Sequence, residues 1–461
     1  MRPVRVVPAT ITLTLLAPLL AVLLGGPALS ASAGPSTTAL AGATAPVSVA
    51  AAITAPAAKK KPKYKPPVGV AFNDPLIPGA RGNVLDQVVL AVRNTPKNEY
   101  IRLVVWNYDA PWLTKDLIAA KKRGAIVQVI TAGSVDSRSF LTLARFLKQN
   151  EKDKSFAKKC KGACRSNSKI MHSKIFMFSK VGKTKNVSMF GSTNLTTAAR
   201  NRQWNDQITS TNKGLYDFFV ATFEQYRQDR PQVKPGDGYK SKRYEVVLFP
   251  KFEENPVADA FSRVRCNGAT GPGATGGRTK IRIAVAGWFN AYGEDIARKV
   301  RSLWDRGCDV RIVTTLLGRG VNRTLRNPAG RGPVPIHSLY QDRDGDAVPE
   351  RYLHMKSVSI QGVYGGNTAA SLVWTGSPNW SARAARSDEV WVKVFDAPAL
   401  ARRYAAHVDR LRTIVLDQGE DVEADAVKLR NALRQYQQAR QAMARAGVLN
   451  GPVLPDWLEL D

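Results

Sequence analysis

Two stretches of this chain alternate short β-branched runs with more polar helical segments, and they do so in the same order. In the first, Ile101-Arg102-Leu103-Val104-Val105-Trp106 reads as a strand, Leu117 to Arg123 as a helix, and Ile126 to Ile130 as a second strand. In the second, Ile281-Arg282-Ile283-Ala284-Val285-Ala286, Ile296 to Arg306 and Val310 to Thr314 repeat that succession. Each helical segment stops at Arg-Gly, with Gly124 and Gly307 past the last turn, where helices commonly end. The apolar starts correspond as well, Val68 to Phe72 with Tyr244 to Phe249. Strand–helix–strand alternation predicts parallel βαβ units with helices covering the sheet. The expected fold class is therefore α/β, as two similar halves related by internal duplication, over residues 67–232 and 243–415.

The flanking segments lack this pattern. Residues 34–66 are rich in Ala, Pro, Thr and Ser and end in Lys59-Lys60-Lys61-Pro62-Lys63, which suits a flexible leader. Ahead of them, Arg2 and Arg5, the apolar run Ala9 to Leu24 and Ala31-Ser32-Ala33 read as a signal peptide over 1–33, so the protein is expected to be secreted. The tail over 416–461 carries Val422, Ala426, Leu429, Leu433 and Tyr436 at helical spacing and is expected to pack as a capping helix.

Composition narrows the partners. Hydrophobic residues make up 44% of the 461, which excludes wholesale disorder. The 68 basic against 37 acidic residues give +31, a balance that favours polyanions such as anionic membranes or nucleic acid. Four cysteines in an exported chain read first as two disulfides, paired within each half as Cys160 with Cys164 and Cys266 with Cys308. Zinc is the rival reading, but there is no second close pair and no neighbouring histidine.

The chemistry concentrates in a repeated motif. The chain has four histidines, and two of them stand in His-x-Lys: Met171-His172-Ser173-Lys174 and Leu353-His354-Met355-Lys356. Each copy leads to Gly-Ser-x-Asn, at Gly191-Ser192-Thr193-Asn194 and at Gly376-Ser377-Pro378-Asn379. On a strand, positions i and i+2 share a face, so each half sets an imidazole beside an ammonium. Two such sets face to face supply a nucleophile, an acid and several donors for phosphate oxygens, which is the chemistry of a phosphodiester.

These paired motifs in a duplicated α/β chain resemble the phospholipase D superfamily, over about 350 residues. The resemblance implies two α/β sandwich halves with the active site between them, no cofactor or metal, and a two-step reaction through a phosphohistidine. It implies His172 as nucleophile and His354 as acid and base. Lys174, Lys356, Asn194 and Asn379 would hold the non-bridging oxygens, and Ser192 and Ser377 would add hydroxyls or shape the turn. The family pattern also has an Asp five positions after each Lys, and here those positions hold Ser179 and Gln361. A nucleophilic imidazole chiefly needs an acceptor on its other nitrogen, which the family draws from beyond Gly-Ser-x-Asn. Asp206, and either Asp388 or Glu389, are the candidates to orient the two histidines.

Other features bear on access. Lys148 to Lys185 carries twelve Lys or Arg against two acids, and reads as a solvated loop or a positive lip. Arg319, Arg323, Arg326 and Arg331 could form the opposite lip. Trp106, Tyr108, Trp112, Trp288, Phe289, Tyr292, Trp374, Trp380 and Trp391 are expected to be core, with a few at an apolar rim. Asp342-x-Asp344-Gly-Asp346 hints at a cation, though its glycine is misplaced for the familiar calcium loop. The leading expectation is a monomeric, secreted phospholipase D-type enzyme acting on phospholipid headgroups. A nuclease on the same scaffold and an inactive polyanion binder are the alternatives.

Overall fold

The computed structural model describes residues 64–168, 170–234, 236–343 and 349–416. The expected signal peptide, nearly all of the leader, the tail beyond Leu416 and the Asp344 to Asp346 part of the acidic run lie outside the described residues.

The β-branched runs form two sheets of matching design. The first orders its strands as Gly69–Phe72, Asp206–Ser210, Thr184–Gly191, Lys174–Val181, Tyr100–Val105, Ile126–Thr131 and Phe156–Lys159. The second runs Tyr244–Leu248, Val390–Val394, Asn367–Gly376, Lys356–Tyr364, Lys280–Trp288, Asp309–Leu317 and Ile336–Ser338, with Tyr239–Lys240 added at one edge. Directions correspond pair by pair: the last three strands of each series are parallel and the other neighbours antiparallel. The expected parallel units thus account for three strands of each sheet. The remaining strands are joined by a tight hairpin (Lys180 opposite Lys185 in the first half) or return antiparallel, so no crossover helix is needed between them.

Helices form where apolar residues recur at helical spacing and a cap is available. Ser137 accepts from the Phe140 amide ahead of Arg138–Leu147, and Asn212 accepts from the Leu215 amide ahead of Lys213–Gln228. Pro111, Pro256 and Pro398 occupy first-turn positions of Pro111–Lys122, Pro256–Ser262 and Pro398–Leu411. Among the described residues no helix is long and apolar enough to cross a membrane.

Alternation along the strands sends neighbours to different cores. Ile283 and Ile312 pack with Ile296, Val300 and Leu303 of the helix Asn290–Asp305. Ala284 and Val313 instead join Val373 and Val392 in one continuous apolar cluster with Val104, Ile175 and Met189 of the first sheet. The described residues belong to one compact unit that begins at Lys61. The two halves are also stitched by backbone: Gln203–Trp204 pairs in parallel with Tyr352–Leu353, and Met171 bridges Asp388. Each stitch lies immediately before a histidine or its partner.

The cysteines form Cys160–Cys164 and Cys266–Cys308 disulfides, as the pairing within halves anticipates. The Asp229 carboxylate lies near the first pair, but the sulfurs are bonded to each other and are not thiolate ligands for zinc.

Candidate active site

Each His-x-Lys sits at the mouth of a strand rather than inside one. Lys174 opens Lys174–Val181 and Lys356 opens Lys356–Tyr364. The histidine just outside is fixed by the opposite half: the His172 amide donates to Asp388 O at 2.9 Å, and the His354 amide to Trp204 O at 2.9 Å. In each half the lysine ammonium reaches back to the carbonyl of its own histidine, at 2.9 Å in both cases.

The side chains define tautomers. Lys174 Nζ stands 3.1 Å from His172 Nε2, and an ammonium can only donate, so Nε2 carries the lone pair. His172 Nδ1 then carries the proton and donates to Glu389 Oε1 at 2.7 Å. Both groups are buried, at 7% and 1% exposure, so water does not dilute the bond. The ring edge of Trp106 flanks His172 at 5.4 Å between centroids. His354 is fully buried and its Nδ1 lies 2.8 Å from Asn205 Oδ1. Tyr352 stands edge-on to His354 at 6.0 Å.

Gly-Ser-x-Asn ties down the segment that carries each histidine's acceptor. The Ser192 amide donates to Asp206 O at 3.1 Å, and the Asp206 amide returns to Ser192 Oγ at 3.0 Å. Ser377 makes the same exchange with Val390, at 3.0 Å each way. The glycine before each serine permits this approach. A Cβ at Gly191 would stand 2.3 Å from Asp206 O, and one at Gly376 2.2 Å from Val390 O. Ser192 Oγ donates onward to Asn205 Oδ1 at 2.8 Å. Asn194 and Asn379 are both buried, and Asn379 Oδ1 accepts from the Gly287 amide at 3.2 Å.

The serine exchange makes Asp206 the counterpart of Val390, and hence Asn205 the counterpart of Glu389. Of the expected orienting groups, Glu389 is in place and Asp206 is corrected. Glu389 holds His172 across the halves, while the acceptor at His354 Nδ1 is the amide Asn205, one position before Asp206. Asp206 Oδ2 instead accepts from Thr375 Oγ1 and from Tyr404 Oη at 2.6 Å. Burial raises its pKa, against those hydrogen bonds and the Lys356 charge. Asp388 serves through its backbone carbonyl, and its carboxylate accepts from the Arg165 amide at 2.7 Å. Burial raises the Asp388 pKa too. Nothing local in the sequence marks Asn205, because an amide carries no carboxylate signal and the loops differ by one residue: Ser192 lies 14 positions from its partner, Ser377 lies 13.

The missing motif carboxylates fall elsewhere. Ser179 and Gln361 lie five residues along their strands from the lysines, roughly 16 Å at strand rise. Ser179 Oγ donates to Glu99 Oε2 at 2.6 Å and accepts from the Tyr100 amide at 2.7 Å. Gln361 is buried opposite Lys280 and Ser371.

Of the expected lips, Lys159 to Arg165 follows the carboxyl end of a parallel strand, the end of the sheet that also carries Lys174. The helix Arg319–Leu325 follows the carboxyl end of Asp309–Leu317, with Arg319 and Arg323 exposed. Arg326 caps that helix, and its guanidinium is taken by Asn322. Arg331 is a correction: it donates to Trp304 O and Cys308 O beside the amino end of the same strand. Most of the aromatics are core, with Trp288, Trp374, Trp380 and Trp391 in one cluster.

A family model described as cardiolipin synthase, PLD-like domain, matches residues 94–227. No curated protein sequence matches the chain. Among solved structures, phosphatidylserine synthase of Haemophilus influenzae Rd KW20 aligns with a TM-score of 0.52 and 15% identity, over 83% of this chain and 94% of that one. Polyphosphate kinase of Porphyromonas gingivalis aligns at 0.49 and 10% identity, over 80% of this chain but only 55% of the kinase. Nuc of Salmonella typhimurium, a phospholipase D family member, aligns at 0.27 and 24% identity, over 36% of this chain and 97% of that one. Residues 94–227 thus match a PLD-like domain, and the likeness of the chain to the phosphatidylserine synthase is one of fold.

Proposed function

We propose that this protein is a secreted phospholipase D-type phosphodiesterase that hydrolyses or transfers phospholipid headgroups. The observation that carries the reading is His172, held by Glu389 on Nδ1 and by Lys174 on Nε2. An Nε2 lone pair backed by a buried carboxylate is a nucleophile prepared for attack on phosphorus. In the first step His172 Nε2 bonds to phosphorus, the P–O bond to the leaving alcohol breaks, and a proton from His354 Nε2 goes to the leaving oxygen. In the second step water, or an acceptor alcohol, attacks phosphorus and gives its proton to His354. The N–P bond then breaks and its electron pair returns to His172. Charge growing on the non-bridging oxygens falls to Lys174, Lys356, Asn194 and Asn379.

Support for lipid comes from the family model that matches, whose description is a lipid synthase, and from the export signal. The +31 balance suits an anionic bilayer surface and equally suits nucleic acid, which keeps a secreted nuclease as the second reading. The test uses mixed phosphatidylcholine and phosphatidylglycerol vesicles with ethanol and EDTA, beside His172→Ala. Phosphatidylethanol from the wild type alone is the expected result. Cleavage of plasmid DNA without any lipid product would transfer the reading to a nuclease, and neither product would leave a polyanion binder.

A further inference from the structure

The two orienting positions are equivalent in place and different in charge, and the hydrogen bonds around Asn205 leave no freedom in how it faces His354. Asn205 Nδ2 donates to the Ala199 carbonyl at 3.4 Å and to Gln203 Oε1 at 2.8 Å. A carbonyl can only accept, so the amide cannot be turned round. Gln203 Nε2 in turn donates to Tyr352 Oη at 2.6 Å. Ser192 Oγ already accepts from the Asp206 amide, so its own proton points to Asn205 Oδ1. Oδ1 therefore faces His354 Nδ1 as an acceptor, and Nδ1 must carry a proton.

The acceptor at that nitrogen is an amide oxygen. On its own strand, His354 is followed by Lys356, whose ammonium sits on the His354 carbonyl. From the neighbouring strand, Asp206 turns its carboxylate to Thr375 and Tyr404 and lies within Coulombic reach of Lys356. Tyr352 offers a ring edge. The other half-site holds Lys174 and the His172–Glu389 pair. Burial and a neighbouring ammonium both disfavour a second proton on the ring.

We propose that Asn205 is a positioning residue that holds His354 as a neutral Nδ1–H imidazole, so that its Nε2 gives up a proton more readily than a carboxylate-paired histidine would. The inference rests on the phosphohistidine reading for its catalytic meaning and deepens it. Positive charge that must persist through the covalent intermediate falls on the ring backed by Glu389. The proton that must be given and taken back falls on the ring backed by an amide. Because the first step needs His354 protonated, kcat/KM declines as pH rises through its titration, and the amide places that decline on the acid side of neutrality.

Four histidines make a direct measurement feasible: ¹⁵N and ¹³Cε1 imidazole titration by NMR, with His354→Gln for assignment and Asn205→Asp as the probe. His354 should appear as the Nδ1–H tautomer and titrate below the free imidazole value of about 6.5. Asn205→Asp should move that midpoint up by roughly 1–3 units, the usual effect of an adjacent opposite charge. The pH limb of kcat/KM on bis(p-nitrophenyl) phosphate should follow it. A His354 that titrates at or above 6.5 in the wild type, or the Nε2–H tautomer, overturns the proposal even if the variant fails to fold. If the titrations behave as expected but no phosphodiester is turned over at any pH, the phosphodiesterase reading falls and this inference stands.

Discussion

Replacing Glu389 by Gln tests how much of the site resides in one buried charge. The carboxylate lies 2.7 Å from His172 Nδ1 and its residue is 1% exposed, so the change keeps shape and removes charge from a water-free bond. A hydrogen bond to a charged group is worth about 1.5–3 kcal/mol and a neutral one about 0.5–1.5, which puts the loss near 1–2 kcal/mol. The second oxygen, Oε2, is buried with no hydrogen-bond partner among the described residues. An amide nitrogen there would be stranded, at a further cost of about 1–3 kcal/mol. If the amide turned instead, its N–H would face Nδ1 and drive the ring to the tautomer with no lone pair on Nε2. Summed, the two costs raise the barrier by about 2–5 kcal/mol, or roughly 30- to 5,000-fold in kcat/KM. The assay is the burst of p-nitrophenol from bis(p-nitrophenyl) phosphate under single-turnover conditions, with acid-quenched phosphohistidine followed by ³¹P NMR. A correctly folded Glu389→Gln protein within threefold of the wild type, with its burst intact, would refute the assignment of Glu389 to His172.

Further outcomes follow from other parts of the fold. Introducing the carboxylate of the family motif as Ser179→Asp should leave kcat/KM within about twofold, because the position lies roughly 16 Å along the strand from Lys174; thermal melts should fall slightly, from repulsion with Glu99. His407 is buried and stacked on Phe72 at 3.8 Å, and burial lowers its pKa to about 3, with the Arg410 charge adding to the effect. The unfolded chain therefore binds that proton first, and stability should decline as pH falls from 6.5 towards 3. His407→Leu should remove that part of the acid sensitivity in urea melts run across this window. Replacing Cys266 and Cys308 by Ser opens a loop of sequence separation 42 and should cost roughly 2–4 kcal/mol by urea titration. The same change at Cys160 and Cys164, separated by 4, should cost less.

The strands and their repetition are legible because β-branched runs such as Ile126 to Thr131 and Asp309 to Leu317 are buried along most of their length and so are largely apolar. The pairing of His172 with Lys174 was readable for an equally local reason, since two positions apart is one face of an extended chain. What the residue order hides is anything decided between distant segments. Glu389 reaches His172 across 217 positions, and Asn205 reaches His354 across 149. No local pattern says which half supplies which acceptor. Arg331 illustrates the same limit on a smaller scale, because a loop beyond the helix Arg319–Leu325 returns to the other end of the strand. Alternation of strand and helix fixes direction only where a crossover helix intervenes, so the antiparallel returns are not legible in it.

The reciprocal arrangement, in which each half orients the other's histidine, also bears on what a single polypeptide makes available. A symmetric assembly of two identical half-length chains must place the same residue at both orienting positions, since one gene segment encodes both. Here the two positions are written separately, as Asn205 and Glu389, and each can be altered by a point mutation that the other does not share. Covalent linkage therefore frees the two halves to specialise while the backbone stitches at Met171 and at Gln203–Trp204 keep them in register. Expressed apart, each half would carry a histidine without its acceptor, so recovery of imidazole order on mixing the halves would depend on re-forming those stitches.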